Sequence, residues 1–148
     1  MSAKRRLLAA VTAMGYVHAR RALHERFELV PAFSLSQATA SLRNSDIDAV
    51  LCSIHFDDSR MFDMLHEAKR IAPQLPFVCC RILHSDLTAP VLQGMAHAAQ
   101  LQGALAFIDY NELHRQHGFA EADRMFLERL LSALPPESDV SRPAAGRS

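Results

Sequence analysis

Short apolar runs alternate along this chain with stretches in which apolar residues return every three or four positions. The runs are Leu7–Val11, Phe27–Val30, Ile47–Ile54, Phe77–Cys80 and Ala104–Ile108. Ile47–Ile54 is apolar at nearly every position after Asp48, as a strand buried on both faces requires. The periodic stretches predict helices. Thr12 is a candidate cap for one with Tyr16, Ala19 and Leu23 on one face. Pro31 ends the second strand, and Ser34 opens a helix carrying Leu35, Ala38 and Leu42, which Asn44-Ser45-Asp46 stops. A polar loop from His55 to Arg60 leads to a helix with Met61, Leu65, Ala68 and Ile71 inward, and Pro73 and Pro76 bracket the turn that follows. Ser85 or Thr88 caps the next helix, with Pro90 in its first turn, where a missing N–H costs nothing. Its predicted inner face is Leu92, Met95, Ala98 and Leu101, and Gly103 ends it. A last helix, about Phe119 to Leu134, has Phe119, Ala122, Phe126 and Leu130 on one stripe.

Five strands alternating with five helices predict an α/β domain, a doubly wound parallel sheet covered on both faces. In such folds ligands bind at the carboxyl ends of the strands. The domain is expected over 1–134. From Pro135 to Ser148 the composition turns to Pro, Ser, Ala and Gly, which predicts a disordered tail.

A chain of 148 residues fits one domain. Its formal net charge of zero argues against a nucleic-acid partner, which needs a basic surface to displace counterions. No apolar run nears the ~18–20 residues of a membrane span. Lys4-Arg5-Arg6 before Leu7–Ala13 mimics a signal peptide faintly, but the apolar stretch is brief and soon meets His18-Ala19-Arg20-Arg21. Cys52, Cys79 and Cys80 lie inside apolar runs and read as buried, reduced thiols of a cytoplasmic protein. Cys79 and Cys80 point to opposite sheet faces, so only one of them can face Cys52. His114 and His117, near Glu112, have helical spacing, but zinc needs three or four ligands and solvated histidines are the expectation. His55 and His84 are expected at the carboxyl edge of the sheet. No Ser-His-Asp order, phosphate loop or dinucleotide fingerprint is present; the expectation is no enzyme, no metal and no cofactor.

Three segments carry a family resemblance. Ser34 to Ser53, SLSQATASLRNSDIDAVLCS, together with Ile71-Ala72-Pro73-Gln74-Leu75-Pro76-Phe77-Val78 and Gly103-Ala104 followed by Phe107, resembles the receiver domain of two-component response regulators. The likeness covers about Arg6 to Leu134 and implies a five-stranded, flavodoxin-like sheet of order 2-1-3-4-5. The loop after Arg81 is several residues longer than is usual in the family. The family's active-site residues are replaced. Its acidic pair after strand one falls at Val11-Thr12-Ala13, and the first acid in this chain is Glu25. Its phospho-accepting aspartate maps to Ser53, its switch Ser/Thr to Arg81, its lysine to Tyr110 and the following proline to Asn111. The resemblance with these departures implies a pseudo-receiver, a regulatory protein-interaction module that takes up no phosphate.

Thr12, Ser53, Arg81 and Tyr110 would set hydroxyls around a guanidinium, a set that suits a small anionic ligand. The alternative is that Arg81 pairs with Asp57 or Asp58 and closes the pocket. The family also commonly dimerises through its fourth helix, fifth strand and last helix, and here Thr88 to Gly103 contains no charged residue besides a protonatable His97. Gln93, Ala96, His97 and Gln100 are expected to face outward, with Gly94 at the margin and Leu127, Leu131 and Leu134 as a second apolar row that widens the patch.

Overall fold

The computed structural model describes residues 4–137. Five parallel strands, β1 (Arg5–Ala10), β2 (Phe27–Ala32), β3 (Ala49–Ser53), β4 (Phe77–Arg81) and β5 (Ala106–Asp109), form one sheet of order β2-β1-β3-β4-β5. The order and the doubly wound architecture are those expected. Side chains alternate across the sheet with period two and split the core in half. Leu7, Ala9, Ala49, Leu51, Val78, Cys80 and Ile108 pack under α1 (Ala13–Leu23) and α6 (Tyr110–Ala133). Leu8, Ala10, Val50, Cys52, Phe77 and Cys79 pack under α2 (Leu35–Asn44), α4 (Met61–Ile71) and α5 (Ala89–Leu101). Cys79 is therefore the cysteine that shares a face with its register partner Cys52. Burial pushes all three thiols up, Cys79 to about 12, so they are protonated and unreactive at neutral pH.

Polar residues start the helices where expected. Thr12 Oγ1 accepts from the Gly15 N–H at 3.0 Å, Ser34 Oγ from Gln37 at 3.1 Å and Thr88 Oγ1 from Val91 at 3.4 Å. Gly103 follows α5 with φ of 109°, a left-handed conformation that glycine adopts without strain.

Several expectations are corrected. Pro31 does not end β2 but lies inside it, level with Ala9. It is tolerated because β2 is an edge strand. In α5 the buried residues are Leu92 and Ala99, while Leu101 is 75% exposed. At about 100° per residue, nine residues turn a helix to its far side whereas seven return it to the same face. The last helix begins at Tyr110, nine residues before the expected Phe119, and is broken once, at Gly118 (φ 81°, ψ 174°). Ala122, Phe126 and Leu130 fill the core, but Phe119 follows the break and stays 50% exposed. Leu134 is buried, and Leu127 and Leu131 are half-buried against the same core, so this row does more for packing than for an open patch.

The polar loop after β3 contains α3 (Phe56–Ser59), a single left-handed turn. Asp57, Asp58 and Ser59 have φ of 44°, 58° and 68°, and the Arg60 N–H closes the turn on the Phe56 carbonyl at 2.7 Å. Left-handed geometry costs ~1–2 kcal/mol per non-glycine residue, so other contacts must hold it. Asp57 supplies one, its Oδ2 accepting from the Leu35 N–H at 2.8 Å and lying 3.8 Å from Arg60. The expected tail lies outside the described residues from Ser138 onward. Its first residues rest on the sheet's amino edge: Arg5 donates to the Pro135 carbonyl at 2.8 Å, and Glu137 lies within 3.5 Å of Arg5 and Arg26.

Candidate functional site

Ser53, Arg81 and Asp109 are the last residues of three neighbouring strands, β3, β4 and β5. Register sets Arg81 directly across from Asp109 and Ser53 across from Cys80. Arg81 is 7% exposed and Ser53 3%, the two buried polar residues of the domain as described. A buried guanidinium must be paired. Arg81 Nε donates to Asp109 Oδ1 and Nη2 to Asp109 Oδ2, both at 2.9 Å, and Nη1 donates to Ser85 Oγ at 3.2 Å. The partner is thus Asp109, not Asp57 or Asp58: Asp57 is spent on holding the left-handed turn and Asp58 is exposed. Asp109 also caps α6, accepting from the Glu112 N–H at 3.1 Å. The Arg81–Asp109 pair therefore ties β4, β5, the long loop after β4 and the start of the last helix together.

Of the four residues expected to share a pocket, two have side chains engaged elsewhere. The Thr12 oxygen is engaged by its own helix, and Tyr110 turns under α1 and α6 instead of toward Arg81. Because α6 starts at Tyr110, the ring is swung onto the helix-packed face, where it is 1% exposed. Its hydroxyl donates to Asp123 Oδ1 at 2.6 Å and accepts from Arg21 Nη2 at 2.8 Å. Burial, then the bond to Asp123, pushes the Tyr110 phenol up to about 12. Burial would raise Asp123 too, but hydrogen bonds from Arg21 and Tyr110 outweigh it and hold the carboxyl below its usual range.

A ring cluster surrounds this network. His114 stacks on Phe119 with centroids 3.8 Å apart, His18 lies 5.8 Å from the same ring, and Arg21 sits 4.9 Å over it. His114 is held by aromatic contact, whereas His117 is exposed. Among the described residues no group of three or more His, Cys, Asp or Glu could hold a metal ion. On α5, Gln93, Gly94, His97 and Gln100 are exposed as expected, and Ala96 is half-buried. Neither Asp109 as the partner of Arg81 nor the Tyr110–Asp123–Arg21 network was legible beforehand. The one available signal for the first was an unmatched cation ending one strand and an acid ending the next.

The fold and the placement of this edge define a receiver-like domain. It is similar to the receiver domain of a response regulator from Bacteroides fragilis, with a TM-score of 0.65 and 22% identity over 88% of this chain and 97% of that one. The receiver domain of NtrX from Brucella abortus superposes with a TM-score of 0.60 and 26% identity, covering 85% of this chain and 98% of the other. A putative response regulator from Chloroflexus aurantiacus gives 0.67 at 12% identity, covering 88% and 98%. No protein-family model and no curated protein matches the sequence. No helix among the described residues is long and apolar enough to cross a membrane.

Proposed function

We propose that the domain is a pseudo-receiver, a cytoplasmic signalling module that works by protein contact and forms no acyl phosphate. The observation that supports this reading is the pairing of Arg81 with Asp109 beside Ser53. A receiver's chemistry needs a carboxylate at the end of β3 to accept the phosphoryl group and acidic residues after β1 to hold magnesium. Here the β3 end carries an alcohol, the segment after β1 carries no acid, and the carboxylate that ends β5, Asp109, is held by an arginine. The alternative, a sensor of a small anion near Arg81, draws less support, because all three guanidinium nitrogens already have protein acceptors.

For partners the reading favours a protein, neither nucleic acid nor membrane, and a second copy bound through α5, β5 and α6. β5 is a sheet edge, and Leu101 and Leu105 stand 75% and 47% exposed beside it, next to the polar Gln93, His97 and Gln100. The test of the main reading is a thermal melt with magnesium and beryllium fluoride, paired with mass spectrometry after incubation with acetyl phosphate. A ligand bound to the native state raises the melting temperature. The expected result is no shift and no added phosphate; a clear shift or a phosphorylated species overturns the proposal.

A further inference from the structure

A second feature of the carboxyl edge lies on the other side of Ser53, where the left-handed turn faces the long loop after β4. Between them is a cleft of about 590 Å³. Ile54, Met61, Phe62, Leu87 and Met95 supply its apolar walls, with His55, Ser59, His84, Ser85 and Asp86 as its polar groups. Small-molecule sites are clefts of ~300–1,000 Å³, mainly apolar with a few placed polar groups, and this one has that size and make-up.

Two observations say what would fill it. No lysine or arginine lines the cleft, and its one acid, Asp86, is fully exposed at the rim. An anion would find no permanent positive charge, and a strong cation only a solvated carboxylate. The walls are also held before any ligand arrives, the turn by Asp57 on the Leu35 N–H and the loop by Ser85 on Arg81. Fixed walls spare a ligand the ordering of a loop.

We propose that this cleft is a binding site for one compact, uncharged, largely apolar molecule. It adjoins the Arg81 position through Ser85 and takes a different chemistry from an anion. Occupancy would brace the turn after β3 against the loop after β4.

The probe is N-phenyl-1-naphthylamine, an uncharged bicyclic amine whose fluorescence rises in apolar surroundings, titrated into the full chain. The expected result is saturable one-to-one binding, with the sulfonated relative 1-anilinonaphthalene-8-sulfonate roughly tenfold weaker. Met95→Trp, which fills the cleft, and Leu87→Glu, which charges its rim, should each weaken the uncharged probe about tenfold. Phe119→Ala, an exposed ring on the opposite side of the sheet, should change nothing. Melts confirm that each variant is folded; if Met95→Trp is not, Leu87→Glu, at a residue already 39% exposed, decides. No saturable binding, a preference for the sulfonate, or an affinity indifferent to the folded cleft variants overturns the proposal.

Discussion

Removing Asp109 should be far more damaging than removing Arg81, although the two form one ion pair. The side chains are 8% and 30% exposed, so water reaches the carboxylate but hardly reaches the guanidinium. Asp109→Ala leaves Arg81 charged, buried and bonded only to Ser85. Breaking a buried pair this way costs about 3–5 kcal/mol, and the partial exposure of Asp109 favours the low end, about 3. The same change removes the cap of α6, about 1 kcal/mol more. Arg81→Met instead leaves a carboxylate that still caps the helix and turns to water, at a cost of about 1–2 kcal/mol. In the double variant the stranded cation is gone, so the loss should be about 2 kcal/mol, far below the sum of the single losses. Urea denaturation, which leaves charges unscreened, measures the cycle. A coupling of about 3 kcal/mol is expected; single losses that add to within about 0.5 kcal/mol would refute the reasoning.

Two further outcomes follow from the remaining surface. Burial first, and then Arg21, lowers the His18 pKa, against an upward pull from Asp123. The unfolded chain therefore takes up a proton before the native one does, and stability should decline as pH falls below about 6.5. His18→Phe, which keeps the ring against Phe119, should flatten melting temperature between pH 7 and pH 5.5; an unchanged slope assigns the effect elsewhere. Sedimentation over a range of concentrations should reveal a dimer that Gln93→Glu with Gln100→Glu converts to monomer. A monomer throughout, or a dimer indifferent to both changes, rejects the α5–β5–α6 face.

What the sequence disclosed is what local chemistry dictates. Leu7–Ala10 and Val50–Cys52 announce buried strands because a segment covered on both faces admits no polar position. Thr12, Ser34 and Thr88 announce helix starts because a hydroxyl reaches an amide three residues on. The Arg81–Asp109 pair was hidden because strand register decides it, across 28 residues of chain. Tyr110 was misplaced for a related reason: its direction depends on whether β5 ends in a loop or, as it does, in a helix. Leu101 and Ala99 exchanged roles because steps of three drift steadily around a helix. The left-handed turn gave no glycine or asparagine to mark it, only aspartates that tolerate the geometry.

The two rims of the sheet are unlike, and that inequality limits how copies can join. β2 presents Pro31, which has no N–H to share, and the exposed Glu28; both discourage a neighbour. β5 offers four residues with no such guard beside Leu101 and Leu105. A molecule with one receptive rim and one defended rim can be joined rim to rim only once. The first union consumes the receptive rim of both copies, and what faces outward afterwards is a guarded strand at either end. If copies join through β5 as proposed, assembly along the sheet closes at two and does not propagate into a ribbon.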